Sequence, residues 1–300
     1  MKLKKWQITV TIVLALFIGV FLSGCTVPKQ RIAVIPLSGT IAGVSQSGLL
    51  IGPIISPDLV AGYLERAERD ILVRAVVLRI DSSGGSAAAS QEIASKIRYF
   101  REATGKPVVV SMGDMAASGG YYISAYADKI VANPSTLTGS IGVISQFIYI
   151  EGLLEKLGIE METIKTGEHK DMGIRPLTEE ERKIMQDISD DLYGQFVDAV
   201  AQGRDLPLAD VEALATGQLY TGTQALASGL VDELGGLNEA IEIAANLAGV
   251  SDPEIVEYRP RISFLASLFQ RLQNPFSLPL STDEILFLKI LEGWQGLPRY

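Results

Sequence analysis

Three hundred residues, 47% of them apolar, are enough for one large or two modest domains with a sizeable core. A net charge of −9 argues against nucleic acid, or an anionic lipid surface, as the partner of the main domain. One Cys and one His exclude a disulfide framework and argue against a Cys/His zinc site, so no metal and no cofactor is expected.

Residues 1–25 read as a targeting segment: Lys2, Lys4 and Lys5 precede an uncharged, mostly apolar run from 8 to 24. The run is short for a full membrane span, which takes about 20 residues. Its end, Leu22-Ser23-Gly24-Cys25, resembles a bacterial lipobox, in which Cys25 would be the lipidated first residue of the mature chain. The alternative is an uncleaved helix that spans the membrane. Either way, the chain beyond residue 26 is expected outside the cytoplasm and tied to the membrane.

Arg31 to Leu37 reads as a first strand, followed by a Gly/Ser-rich loop to about residue 56. Ser56-Pro57-Asp58 opens a helix with Leu59, Tyr63 and Ala67 at four-residue spacing, and Arg74 to Ile80 is a buried strand. Strand, helix, strand implies a parallel pair. Asp81-Ser82-Ser83-Gly84-Gly85-Ser86 then leads into a helix that buries Ile93, Ile97 and Phe100. A glycine pair after a parallel strand can aim backbone N–H groups at one point, as an oxyanion or phosphate site requires, although such pairs also occur in ordinary turns. The pattern is neither a P-loop nor a dinucleotide fingerprint.

The next strand, residues 107–112, runs into Asp114 to Tyr122, with helical character up to Ala127. Ser118 therefore sits at a strand-to-helix turn among Ala116, Ala117, Gly119 and Gly120, a relaxed form of the G-x-S-x-G nucleophile turn. A tight turn with a capping serine is the plainer reading of this stretch alone. Lys129 to Ala132 is a short strand, Leu137 to Ile144 follows a turn, residues 150–157 form a short helix, and Glu160 to Lys165 reads as a strand. Thr178 to Glu181 is a capping box that opens a helix of about 25 residues, with Ile184, Ile188, Leu192, Phe196 and Val200 as a core or subunit-contact stripe. Helices are expected over 207–215, 222–228 and 238–248, and a strand over Pro253 to Arg261; the apolar tail 262–300 has no firm assignment.

A serine hydroxyl needs a base to become a nucleophile. The loop Thr166 to Gly173 offers His169 and Lys170, neighbours whose side chains point to opposite sides of an extended chain. A lysine at its ordinary pKa of about 10.4 is neutral in only about one molecule in 2500 at pH 7, so a lysine base is expected in apolar or neutral surroundings.

Asp114 to Tyr122, Val131 to Val143 and Lys165 to Asp171 together resemble the signal peptide peptidase SppA family of serine peptidases, over about residues 31 to 258. The resemblance implies an α/β fold shared with the Clp protease and crotonase superfamily, a stack of βαβ units with a helical C-terminal region that mediates assembly into homo-oligomeric rings. It implies Ser118 as nucleophile, Lys170 as general base and Ser140 as the residue that orients the lysine. Gly84 and Gly85 would form the oxyanion hole through backbone N–H groups, with Gly119 a second donor. Expected substrates are hydrophobic peptides, including remnants of signal peptides. The implied organisation is a targeting segment (1–25), a peptidase domain (26–258) and a tail (259–300). One departure is Ser83, where the family has a proline before the glycine pair. With one copy of the motif set, Ser118 and Lys170 can come from adjacent subunits. Competing readings are an α/β-hydrolase using His169, a crotonase-like CoA enzyme without a serine nucleophile, and a membrane-anchored scaffold with an exposed, charged Lys170.

Overall fold

The computed structural model describes residues 28–44 and 52–259. All of these but Arg259 belong to one compact unit ending at Tyr258; a second unit begins at Arg259. Cys25 and the targeting segment, like the tail 262–300, lie outside the described residues.

Chain order is β1 (Arg31–Ser38), β2 (Thr40–Ile41), β3 (Ile54–Ile55), α1 (Pro57–Arg69), β4 (Val73–Ser82), α2 (Ala87–Thr104), β5 (Val108–Ala117), α3 (Gly119–Ser124), β6 (Lys129–Ala132) and β7 (Leu137–Gly139). It continues through α4 (Glu151–Lys156), α5 (Glu179–Arg204), α6 (Leu208–Leu214), β8 (Leu219–Thr221), α7 (Gly222–Ala227), β9 (Glu233–Leu234), α8 (Leu237–Leu247) and β10 (Glu254–Glu257). Among the described residues, a parallel sheet runs in the order β10-β1-β4-β5-β6-β9; β7 adds to the carboxyl end of β5, and β8 pairs antiparallel with β7.

The central strands read as near-continuous apolar runs because both faces of the sheet are covered. On one face Ile35, Leu78 and Val110 belong to a buried cluster with Val60 and Leu64 of α1 and Ile93 and Ile97 of α2. On the other, Ile32, Val34, Val77 and Val109 meet Ala240 and Ala244 of α8. Each buried Val, Ile or Leu contributes on the order of 1.5–3 kcal/mol. The helices start where the sequence placed them: Ser56 Oγ accepts the Leu59 N–H at 3.3 Å, and Ser86 Oγ accepts that of Ala89 at 3.4 Å.

Three expectations are corrected. β5 does not stop near residue 112 but continues to Ala117, because Met115, Ala116 and Ala117 find a second partner in Leu137, Thr138 and Gly139 of β7. Glu160 to Lys165 is not a strand; its residues are exposed and pair with no strand among the described residues, and a segment without a neighbouring strand forms no ladder. Of the α5 stripe only Phe196 and Val200, near the end of the helix, are buried among the described residues, while Ile188 is 46% exposed.

Candidate active site

Ser118 directly follows β5 and precedes α3, with φ 52° and ψ −123°. A non-glycine residue held there costs on the order of 1–3 kcal/mol and needs its surroundings to fix it. The Ser118 N–H donates to the Gly139 carbonyl at 2.8 Å, and its carbonyl accepts the Tyr122 N–H at 2.9 Å. The next two residues must be small. A Cβ at Gly119 would lie 2.5 Å from Ser90 Oγ, and one at Gly120 would lie 2.8 Å from the Ser82 carbonyl oxygen. Ser118 is half-buried, and its hydroxyl has no hydrogen-bond partner among the described residues.

The glycine pair lies against this turn. A Cβ at Gly84 would sit 2.7 Å from the Gly119 nitrogen and 2.8 Å from Ser118 Cβ. Ile41 of β2 fixes the loop: its N–H donates to the Gly84 carbonyl and its carbonyl accepts the Ser86 N–H, each at 2.9 Å. In this parallel bridge the groups of Gly85 itself turn away from Ile41. The structure divides the pair that the sequence treated alike. The Gly84 N–H donates to the buried Ser82 hydroxyl at 3.1 Å, whereas those of Gly85 and Gly119 have no partner among the described residues. A Cβ at Gly119 would be 3.3 Å from the Gly85 nitrogen, so the two unpaired donors lie side by side beside Ser118. Such a pair can stabilise a developing oxyanion.

Ser140 joins the group through register. Ala117 and Gly139 are paired across β5 and β7, so Ser118 and Ser140 are the next residues on adjacent strands, which run about 4.8 Å apart. Ser140 also has a positive φ, 50°, with its N–H on the Gln218 carbonyl at 2.8 Å. Lys170 is not brought to this group: its side chain is exposed and forms no hydrogen bond or ion pair among the described residues. Among the described residues, the apolar surroundings expected for a lysine base are therefore absent.

The loop carrying Lys170 is nonetheless tied down on both sides. Lys165 Nζ donates to the Glu168 carbonyl at 2.9 Å and pairs with Asp171 at 2.6 Å, while Arg175 bridges Asp171 and Glu181. Glu181 is buried, and the Arg175 fork, helped by the Thr178 N–H, holds its carboxyl at about 2. Asp171 is likewise held below the ordinary carboxylate range, by Lys165 and then Arg175. His169 Nδ1 lies 3.5 Å from Glu181 Oε1, a long contact. Glu168, His169 and Glu180 place one ligand atom each within 4.8 Å of one another, and both carboxylates are exposed. These are the residues whose donor types suit a divalent cation.

Sequence reasoning missed Ser82 as the acceptor for Gly84, Ile41 as the brace of the glycine loop, and Arg175 as the partner of Glu181. The Thr178–Glu181 capping box is a sequence signal for one bond of Glu181; its bonds to Arg175 have no local signature.

Residues 101–251 match peptidase family S49. A Synechocystis protein named as a protease is 47% identical over 185 residues, 61% of this chain and 66% of that protein, so the match spans just under two thirds of that relative. An Enterococcus faecium protein named as signal peptide peptidase SppA is 36% identical over 242 residues, 80% of this chain and 70% of that protein. Among solved structures, a lysine-to-alanine mutant of the 1510-N membrane-bound stomatin-specific protease, in complex with a substrate peptide, covers 83% of this chain and 100% of its own. Its TM-score is 0.52 at 19% identity, a likeness of fold.

Proposed function

This chain belongs to peptidase family S49, and from that premise we propose that it is a serine endopeptidase with Ser118 as nucleophile and Lys170 as general base. The observation that carries the proposal is the Ser118 turn, strained and flanked by the unpaired N–H groups of Gly85 and Gly119. Ser118 Oγ bonds to the carbonyl carbon as its proton passes to neutral Lys170, and the oxyanion rests on the two N–H groups. Lys170 then protonates the leaving amine as the C–N bond breaks. Water then attacks the ester and gives a proton to Lys170, and Lys170 returns that proton to Ser118 Oγ as the C–O bond to the serine breaks and the acid product leaves. Ser140, beside Ser118, orients the lysine.

Lys170 is exposed in the single chain, and Ile144, Ile148 and Ile164 around its segment are 78%, 84% and 91% exposed. In our reading a second copy of the chain covers this surface, in a homo-oligomeric ring that pairs Ser118 of one copy with Lys170 of the next. The substrates are hydrophobic peptides such as released signal peptides, met at the membrane to which Cys25 or an uncleaved N-terminal helix holds the protein outside the cytoplasm. A second reading, a non-catalytic scaffold on this fold, is favoured by the exposure of Lys170.

A fluorophosphonate probe separates the two. The peptidase reading expects a single adduct on Ser118 of the assembled full-length protein, absent in Ser118→Ala. It also expects inactive Ser118→Ala and Lys170→Ala chains to regain cleavage when co-assembled. No adduct on the assembled wild type would leave the scaffold reading.

A further inference from the structure

Arg175 spends every donor it has. Its five N–H groups go to Glu181 Oε1 and Oε2, both at 2.8 Å, to Asp171 Oδ1 and Oδ2 at 3.1 and 3.0 Å, and to the Pro176 carbonyl at 3.1 Å. Glu181 is the third residue of α5, and its Oε2 also accepts the Thr178 N–H at 2.9 Å. Asp171 directly follows Lys170 and takes Lys165 on the same oxygen that meets Arg175 Nη2. The guanidinium thus joins the residue beside Lys170 to the first turn of the long helix.

This arrangement is out of keeping with its surroundings. The Glu181 side chain is 2% exposed and that of Asp171 is 12% exposed, in a segment whose other residues from 159 to 177 are mostly open to water. Surface ion pairs are usually worth little, and buried ones rarely add net stability over an apolar replacement. A two-carboxylate, five-bond fork at this place is better suited to fixing a geometry than to holding the domain together. Lys170 is the residue whose geometry it fixes.

We propose that Arg175, acting through Asp171 and Glu181, is a positioning residue that holds the Lys170 loop in one register on the start of α5, so that Lys170 is presented to Ser118 already oriented. The inference rests on the reading of Lys170 as the base. Arg175 does not touch the reacting atoms. Its effect appears in the chemical step and not in the binding of peptide, because misplacing a catalytic group by about 1 Å costs about 100-fold in rate.

The test uses the full-length protein in detergent with a fluorogenic hydrophobic peptide. Arg175→Lys keeps the charge but not the planar fork. Glu181→Gln keeps an acceptor for the Thr178 N–H, so the helix cap survives. The expected result for each is a fall in kcat of at least about 10-fold with KM within about 2-fold of wild type. Each variant should remain folded and assembled at the assay temperature although its thermal midpoint falls, and Arg175→Lys/Glu181→Gln should be no worse than the worse single variant, because both break one network. Arg182→Ala, which removes an exposed pair with Glu179, should behave as wild type. Wild-type kcat in both clamp variants, with Lys170→Ala inactive, would overturn the positioning role while leaving Lys170 as base. A fall in kcat fully accounted for by the fraction of chains unfolded or unassembled at the assay temperature would reduce the fork to a structural brace. Full activity in Lys170→Ala would remove the base reading itself, and the positioning role with it.

Discussion

Gly84→Ala puts the proposed oxyanion geometry under direct strain. The new Cβ would arrive 2.7 Å from the Gly119 nitrogen and 2.8 Å from Ser118 Cβ, whereas unstrained heavy-atom contacts between carbons lie near 3.5–4.0 Å. Neither obstacle is the end of a flexible side chain. One is the backbone of a proposed donor and the other the root of the nucleophile, so relief requires a retreat of roughly 0.7–1 Å. The φ of 102° at Gly84 adds strain for any L residue, on the order of 1–2 kcal/mol. A displacement of this size at reacting groups costs about 100-fold in kcat, or about 2.7 kcal/mol of barrier. The assay is steady-state cleavage of a fluorogenic hydrophobic peptide alongside the thermal midpoint. Gly62→Ala is the control: it lies in α1 with nothing within 4 Å of its added Cβ, and it should keep full activity while gaining about 0.5–1 kcal/mol of stability. Wild-type kcat in Gly84→Ala would refute the placement of the oxyanion site between this loop and Ser118.

Ser82→Ala leaves the Gly84 N–H without its buried acceptor, which should cost about 1–3 kcal/mol in a denaturant titration. It should also lower kcat more than it raises KM, because the loop that aims the Gly85 N–H loses its tie; Ser82→Thr, which keeps a hydroxyl, should lie closer to wild type. The Glu181 carboxyl is held at about 2 against an ordinary 4.5, so what it contributes to stability is complete above about pH 4.5 and is lost as the pH falls toward 2. The thermal midpoint of wild type should therefore exceed that of Glu181→Gln at pH 5 and converge on it toward pH 2; a constant difference across that range would contradict the assignment.

Much of the α/β layering is legible in the sequence because β1, β4 and β5 are buried on both faces and so read as unbroken apolar runs between capped helices. Ser56 and Ser86 announce their helices through local chemistry alone. What is not legible depends on partners distant in sequence. The extension of β5 to Ala117 exists because β7, some 20 residues later, lies beside it. Glu160 to Lys165 reads as a strand that finds no neighbour among the described residues. At the site, the small residues around Ser118 are visible as Gly and Ala, and the structure supplies the reason, the close approach of Ser82, Gly84 and Ser90. Which glycine keeps a free N–H is decided by the Ser82 hydroxyl and by the bridge to Ile41, contacts that no spacing rule announces. The proposed pairing of Ser118 with Lys170 rests on the motif set alone, since the lysine is exposed among the described residues.

The most direct test of a Ser118/Lys170 peptidase is cleavage of a fluorogenic hydrophobic peptide by the assembled full-length protein as wild type, Ser118→Ala, Lys170→Ala and His169→Ala. The account predicts cleavage by wild type and His169→Ala, rising with pH between about 6 and 9 as a lysine base requires, and none by the other two. An inactive His169→Ala beside an active Lys170→Ala, or no cleavage by assembled wild type, would contradict it.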